Sequence, residues 1–255
     1  MSLVVINGDD FGFSDGVCRA LIELLDAGAI SNTTVMIAAA HAPARVRQYA
    51  SHLAGRAGVH LQLSNGSPLS GGPAARTLID AATRQFRPRE ETEHSDPAEI
   101  EREWRRQIET VTELLGTRPT HLDSHHGVHR LDNCLDIYLG LAAEYNLPVR
   151  GGRDIAAQMQ AHRVSGSSEL IRDWTGRDLG LDALKDRLLA AQRDSRAGEV
   201  IEVVAHPGYS DAYLRSASSL SDAREGDLEA LATLAEQDWL AENQFVLAAY
   251  PHLSG

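Results

Sequence analysis

Short apolar runs alternate with longer amphipathic stretches along this 255-residue chain, and few folds accommodate that order. LVVIN at 3–7 is almost continuously apolar, as a strand buried on both faces should be. From Ser14 or Asp15, whose short polar side chains cap helices, apolar Val17, Leu21, Leu24 and Leu25 recur on one face, and Gly28 is placed to end the helix. The same strand-then-helix unit returns about seven times, which predicts parallel strands covered by helices.

Further strands are expected at 33–38, 58–64, 119–124, 147–151, 199–206 and 244–250, and further helices at 42–53, 96–115, 132–145, 181–197 and 222–242. Asp96-Pro97 suits a helix start and Gly116 a helix end. Two stretches, 65–95 and 152–178, keep no sustained period and read as lid-like insertions. The expectation is an α/β protein: one domain over 1–255, a distorted (β/α) barrel of the TIM-like type with about seven strands. An open parallel sheet shares this periodicity and suits the strand count less well.

Composition bears on partners. With 24 basic against 36 acidic residues the formal charge is −12, which argues against nucleic acid, whose phosphates need clustered Lys and Arg. No stretch approaches the ~20 apolar residues of a membrane span. The start, MSLVVINGDD, lacks the basic segment and long apolar core of a signal peptide, so a cytoplasmic location is expected. Cys18 and Cys134 show no metal or redox spacing, and a structural disulfide is not expected. A homodimer is left open.

The chemistry-bearing residues fall at one end of the expected strands. Asp9 and Asp10 follow the first strand, His60 lies near the end of the third, and His206 comes directly after EVIEVVA. PTHLDSHHGVHR at 119–130 holds four of the eleven histidines, with His121, Asp123 and His125 at alternate positions that share one face of a strand. Taken singly, each has a plainer reading: a turn, a cap, a satisfied rim histidine or a solvated loop. Parallel α/β folds gather active sites at the carboxyl ends of their strands, and four strands deliver acids or imidazoles there. One carboxylate and two neutral imidazoles can bind a divalent ion with positions left for water and substrate. Zinc, cobalt or nickel suits that set, magnesium or manganese less naturally. The neighbouring carboxylate is then free to take a proton, and a histidine across the site to give one.

These residues carry a resemblance. INGDDFG (6–12) is similar to NADDFG, GVHLQL (58–63) to G-x-H-x-x-L, HLDSHHGVH (121–129) to HLDSHHHVH and AHPGY (205–209) to CHPGY, in that order. Together they resemble the YdjC-like carbohydrate deacetylase family, which includes chitooligosaccharide and hopanoid-biosynthesis deacetylases. The resemblance implies a distorted (β/α) barrel that removes N-acetyl groups from a small acetylated sugar with one divalent metal ion, zinc or magnesium being the first choices. It implies Asp10, His60 and His125 as metal ligands, choosing His125 over His121, with Asp9 as general base and His206 as general acid. Asp123 is placed to orient a ligand imidazole, while His121, His126, His129, Arg150 and Tyr250 are candidates for substrate contact or support of the site.

Four departures from the family pattern stand out. Gly8 replaces alanine, a change expected to cost nothing, and Gly127 replaces the middle histidine of HHHVH. Ala205 replaces cysteine, so no thiol chemistry is needed there. The usual ending S-Y-R-[DE]-L appears as AAYPHLSG, with Tyr250 kept and Pro251-His252 changed. The rival readings are another metal hydrolase, acting on a phosphoester or cyclic amide, and a non-catalytic sugar-binding or metal-sensing module.

Overall fold

Seven strands pair in parallel in the computed structural model, which describes residues 1–250: β1 (Ser2–Phe11), β2 (Asn32–Val35), β3 (Ala57–Leu61), β4 (Leu122–Ser124), β5 (Glu169–Ile171), β6 (Val200–Ala205) and β7 (Phe245–Leu247). Their order is β4-β3-β2-β1-β6-β5. β6 lines one edge of β1 along Leu3–Gly8, while the other edge is shared by β7 at Ser2–Val4 and β2 from Asn7 onward. The two ends of this path meet through single rungs, Leu122 to Val149 and Val149 to Gly166, just before β5. The ring is therefore closed, but on one side by isolated bridges instead of ladders. That is the distortion in the barrel.

Ten helices cover the sheet: α1 (Asp15–Asp26), α2 (Ala42–Gln48), α3 (Ala50–Leu53), α4 (Pro97–Leu115), α5 (Asp132–Glu144), α6 (Ala156–His162), α7 (Gly176–Asp194), α8 (Ala212–Ala217), α9 (Ala223–Ala235) and α10 (Trp239–Glu242). The expected caps are in place: Ser14 Oγ accepts from Val17 N, Asp96 from Ala98 N, and Gly116 turns left-handed at φ 65°. Among the described residues no helix is long and apolar enough to cross a membrane.

The strands alternate as pleated strands must, but with an inversion of the usual barrel filling. Val4 and Ile6 of β1, Val59 and Leu61 of β3 and Ile201 and Val203 of β6 join Leu21, Trp104 and Ile108 in one apolar cluster between sheet and helices. Each such side chain, fully buried, contributes about 1.5–3 kcal/mol. The opposite face carries Asn7, Asp9, Thr34, His60, Asp123 and Glu202, all buried and polar. A small second cluster of Val5, Val200 and Tyr250, with Leu3 against it, is apolar.

Several expectations are corrected here. The strand expected at 147–151 is reduced to the single rungs at Val149. The stretch 152–178 contains α6 and β5, too short for a period to register. The helix expected at 42–53 breaks at Tyr49, the one expected at 222–242 divides into α9 and α10, and α8 was not anticipated. At Gly8 a Cβ would lie 2.2 Å from Leu21 Cδ2 and 3.0 Å from Ile30 Cδ1, so an alanine there requires the end of the Leu21 side chain to shift. The altered Pro251-His252 lies outside the described residues.

Candidate metal centre and its cavity

Two consecutive residues of a regular strand point to opposite faces, yet Asp9 and Asp10 both reach the same rim. The backbone explains it. Asp10 adopts a left-handed φ of 73°, and the β1–β2 register slips between Gly8 and Phe11. Such a bulge re-aims a side chain, and Asp is among the residues that tolerate the conformation.

Asp10 Oδ1 then stands 3.3 Å from His60 Nε2 and 3.1 Å from His125 Nδ1, and the three donor atoms lie within 4.8 Å of one another. His60 comes from β3, and His125 follows β4 directly. His60 Nδ1 donates to Asp123 Oδ1 at 2.6 Å, which assigns the ring proton to that nitrogen and turns Nε2 toward Asp10. A second group, Asp9, His60 and Asp123, also brings its donor atoms within 4.8 Å of one another. It shares His60 with the first, and Arg150 bonds both of its carboxylates.

The donor set fits a divalent cation on two grounds. Its members are hard-to-borderline O and N donors at ligand-to-ligand spacing. Its surroundings are also short of positive charge, since four buried carboxylates (Asp9, Asp10, Asp123, Glu202) face two buried guanidiniums (Arg150, Arg224). Burial opposes charge on His60, yet Asp123, Asp10 and Asp9 together push its pKa up to about 10.

Asp9 is held differently. Arg150 Nη2 and Nη1 donate to its two oxygens at 2.7 and 2.8 Å, and Asn7 Nδ2 donates to Oδ1 at 2.7 Å. Burial alone would raise the Asp9 pKa, but Arg150 outweighs it and holds the carboxyl well below the usual range. His206 Nε2 lies 3.8 Å from Asp9 Oδ2, and His60 Nε2 4.0 Å from it. Burial lowers the His206 pKa against the pull of Asp9 and Asp10, so the ring favours the neutral form.

A cavity of about 340 Å³ opens over these groups, with Leu170, Arg172, Ser218 and Leu220 among its walls. From the stretch 65–95 only Arg89 is bonded to a site residue, through His126 O at 2.8 Å. The other candidates separate. His126 and His129 line the cavity, His126 stacked on His125 and His129 held by Ser124 Oγ at 2.6 Å. His121 does not line it: it is fully buried, stacked on the Tyr250 ring at 3.7 Å. Tyr250 is likewise buried away from the cavity and donates to Glu202. Arg150 reaches the cavity wall, but its guanidinium is committed to Asp9, Asp123 and Glu202.

Sequence reasoning missed Arg224, whose Nη2 donates to Asp10 Oδ2 at 2.5 Å, and Glu202. Arg224 sits in the first turn of α9 and left no signal. Glu202 did leave one: a carboxylate inside the apolar strand EVIEVVA has to find a buried partner.

The family model described as YdjC-like protein matches residues 3–242. The chain belongs to the YdjC-like family. It is 32% identical over 238 residues to a protein of Geobacillus stearothermophilus named carbohydrate deacetylase, covering 93% of this chain and 91% of that one. A protein of Serratia marcescens named chitooligosaccharide deacetylase is 29% identical over 255 residues, covering 98% and 99%. A crystal structure from Enterococcus faecalis V583, provisionally described as a cellobiose-phosphate cleavage protein, superposes with a TM-score of 0.85 at 27% identity, covering 99% of this chain and 98% of that one. YdjC-like membership and the barrel thus agree.

Proposed function

We propose that this YdjC-like protein is a metal-dependent hydrolase that removes N-acetyl groups from an amino sugar or a small acetylated oligosaccharide. One observation carries the reading. A carboxylate outside the ligand triad, Asp9, is fixed beside the triad and opposite His206, at the floor of a cavity of about 340 Å³. In a site that only bound a sugar or a metal, that carboxylate would serve merely to balance Arg150, and its approach to His206 would have no use. The names of the relatives support the substrate class.

Asp10, His60 and His125 would hold the ion. When bound, a divalent ion polarises an acyl carbonyl and brings the pKa of a water down from ~15.7 toward ~7. Asp9 Oδ2 keeps a lone pair free beside its bond from Arg150 and is the proton acceptor for the attacking water. Because Arg150 keeps Asp9 ionised, the acceptor is always available, but it is a weak base, so the water must supply the acidity. His206 enters the cycle neutral and gives the leaving amine a proton gained within the cycle. Asp9 Oδ2 is close enough to pass it on with a small movement.

The test is acetate release from N-acetylglucosamine and its short oligomers with zinc, magnesium, cobalt, nickel or manganese, and after chelation. Asp9→Asn should keep its metal and lose most turnover, and near-normal turnover in that variant would remove Asp9 from the role. One ion per chain is expected, because the two possible ligand groups share His60. Two ions would favour a different metal hydrolase.

A further inference from the structure

Arg150 holds the proposed base, and its own backbone is tied down: its N donates to Leu122 O at 2.9 Å and its O accepts from Tyr138 Oη at 3.3 Å. Its neighbour Val149 meets the sheet through one rung on each side, where the other strands have ladders. The direction of the guanidinium beyond that backbone is set by side-chain bonds. Nη1 and Nη2 are taken by Asp9, and Nη2 also meets Asp123 Oδ2 at 2.9 Å. Nε donates to Glu202 Oε1 at 2.7 Å.

Glu202 is itself anchored from the other side. Its Oε2 accepts from Tyr250 Oη at 2.5 Å and from Ser167 Oγ at 2.7 Å. Tyr250 is pinned in turn, by its stack on His121 and by its backbone N donating to Asn32 Oδ1 at 3.0 Å. Every member of this chain is buried. Removing one donor to Oε2 leaves the other to hold it alone, which loosens Glu202 and with it the hold on the guanidinium.

We propose that Tyr250 and Glu202 are positioning residues, holding Arg150 and through it the carboxylate of Asp9. The last described residue of the chain thereby sets the geometry of the rim. The activity arm of this proposal rests on the deacetylase reading above, and its other arm does not.

Tyr250→Phe keeps the ring stack and removes only the hydroxyl, and Ser167→Ala removes the second donor to Glu202. Phe245→Leu in β7 weakens the same tail without touching the bonded chain and serves as a control matched by Tm. In metal-loaded, folded enzyme, Tyr250→Phe should lower kcat about tenfold with KM within about twofold, since small misplacements of a reacting group are costly. The Phe245→Leu control should keep kcat. The second arm is hydrogen exchange at Arg150 Nε–H followed by 15N NMR, with the signal assigned by its loss in Arg150→Lys. Exchange should be slow in the native protein and about tenfold faster in Tyr250→Phe and Ser167→Ala.

Unchanged kcat in Tyr250→Phe, or a loss no greater than that of Phe245→Leu at equal Tm, overturns the proposal. Unchanged exchange in both variants overturns it as well, even with Tyr250→Phe unfolded and Ser167→Ala standing alone. If the native protein releases no acetate from any substrate, the function reading fails, and the exchange arm still decides this one.

Discussion

Arg150 grips Asp9 through both carboxylate oxygens, at 2.7 and 2.8 Å, while the same guanidinium reaches the carboxylate that orients His60. One buried cation thus sets the direction of the proposed base and, one bond further on, of a proposed metal ligand. Lysine would keep the charge and lose the planar fork. Arg150→Lys should therefore fold with reduced stability and lose about 100-fold in kcat. Its metal content, measured by titration after dialysis, should fall less steeply than its turnover.

Asp123 has no place in the ligand triad, yet it fixes which nitrogen of His60 faces Asp10. Partners of this kind are typically worth about 10–100-fold in metal affinity. Asp123→Asn should weaken zinc binding by that factor in a competition titration. Equal affinity in variant and native protein would show that His60 is oriented by its packing alone.

Gly8 lies where a methyl would meet Leu21 at 2.2 Å. Overpacking of this kind usually costs about 1–3 kcal/mol. Gly8→Ala should lower Tm by several degrees with metal binding intact, although alanine is the residue of the family motif. A Tm equal to that of the native protein would mean that Leu21 swings aside freely.

Asp211 ties two elements together by accepting from Leu214 N at 2.7 Å and Gly16 N at 2.8 Å. Burial would raise its pKa, but these backbone bonds outweigh it, so the folded value lies below the ordinary 3.8. A depressed folded pKa means stability that is fully present above 3.8 and lost as pH falls through the lower folded value. Asp211→Ala should thus be less stable by about 1 kcal/mol near neutral pH. Thermal melts of both proteins should converge as pH drops below 4, and a gap that stays constant would refute the linkage.

The parallel barrel was legible because its strands carry apolar residues on the helix-facing side and because Ser14, Asp96 and Gly116 punctuate the helices. What escaped were elements of three to seven residues, such as α6, α8 and β5, too short for a repeat to show, and the reduction of 147–151 to isolated rungs. The triad Asp10, His60 and His125 was readable as residue types at strand ends. Choosing His125 over His121 was not: His121 shares the inward face of its strand but stacks deep against Tyr250. That choice came from the family motif, which supplied it without a physical reason.

Local sequence determined which segments become strands and helices, and that acids and imidazoles collect at one rim, because periodicity and capping act within a few residues. Only the tertiary structure decided what those groups do. The left-handed turn that brings Asp10 beside Asp9, the bonds from Arg150 and Arg224, and the seat of Tyr250 under Glu202 join residues up to 214 positions apart. Direction and charge state in a buried site depend on partners that only the folded chain brings within a few ångströms, where Coulomb and hydrogen-bond energies become large.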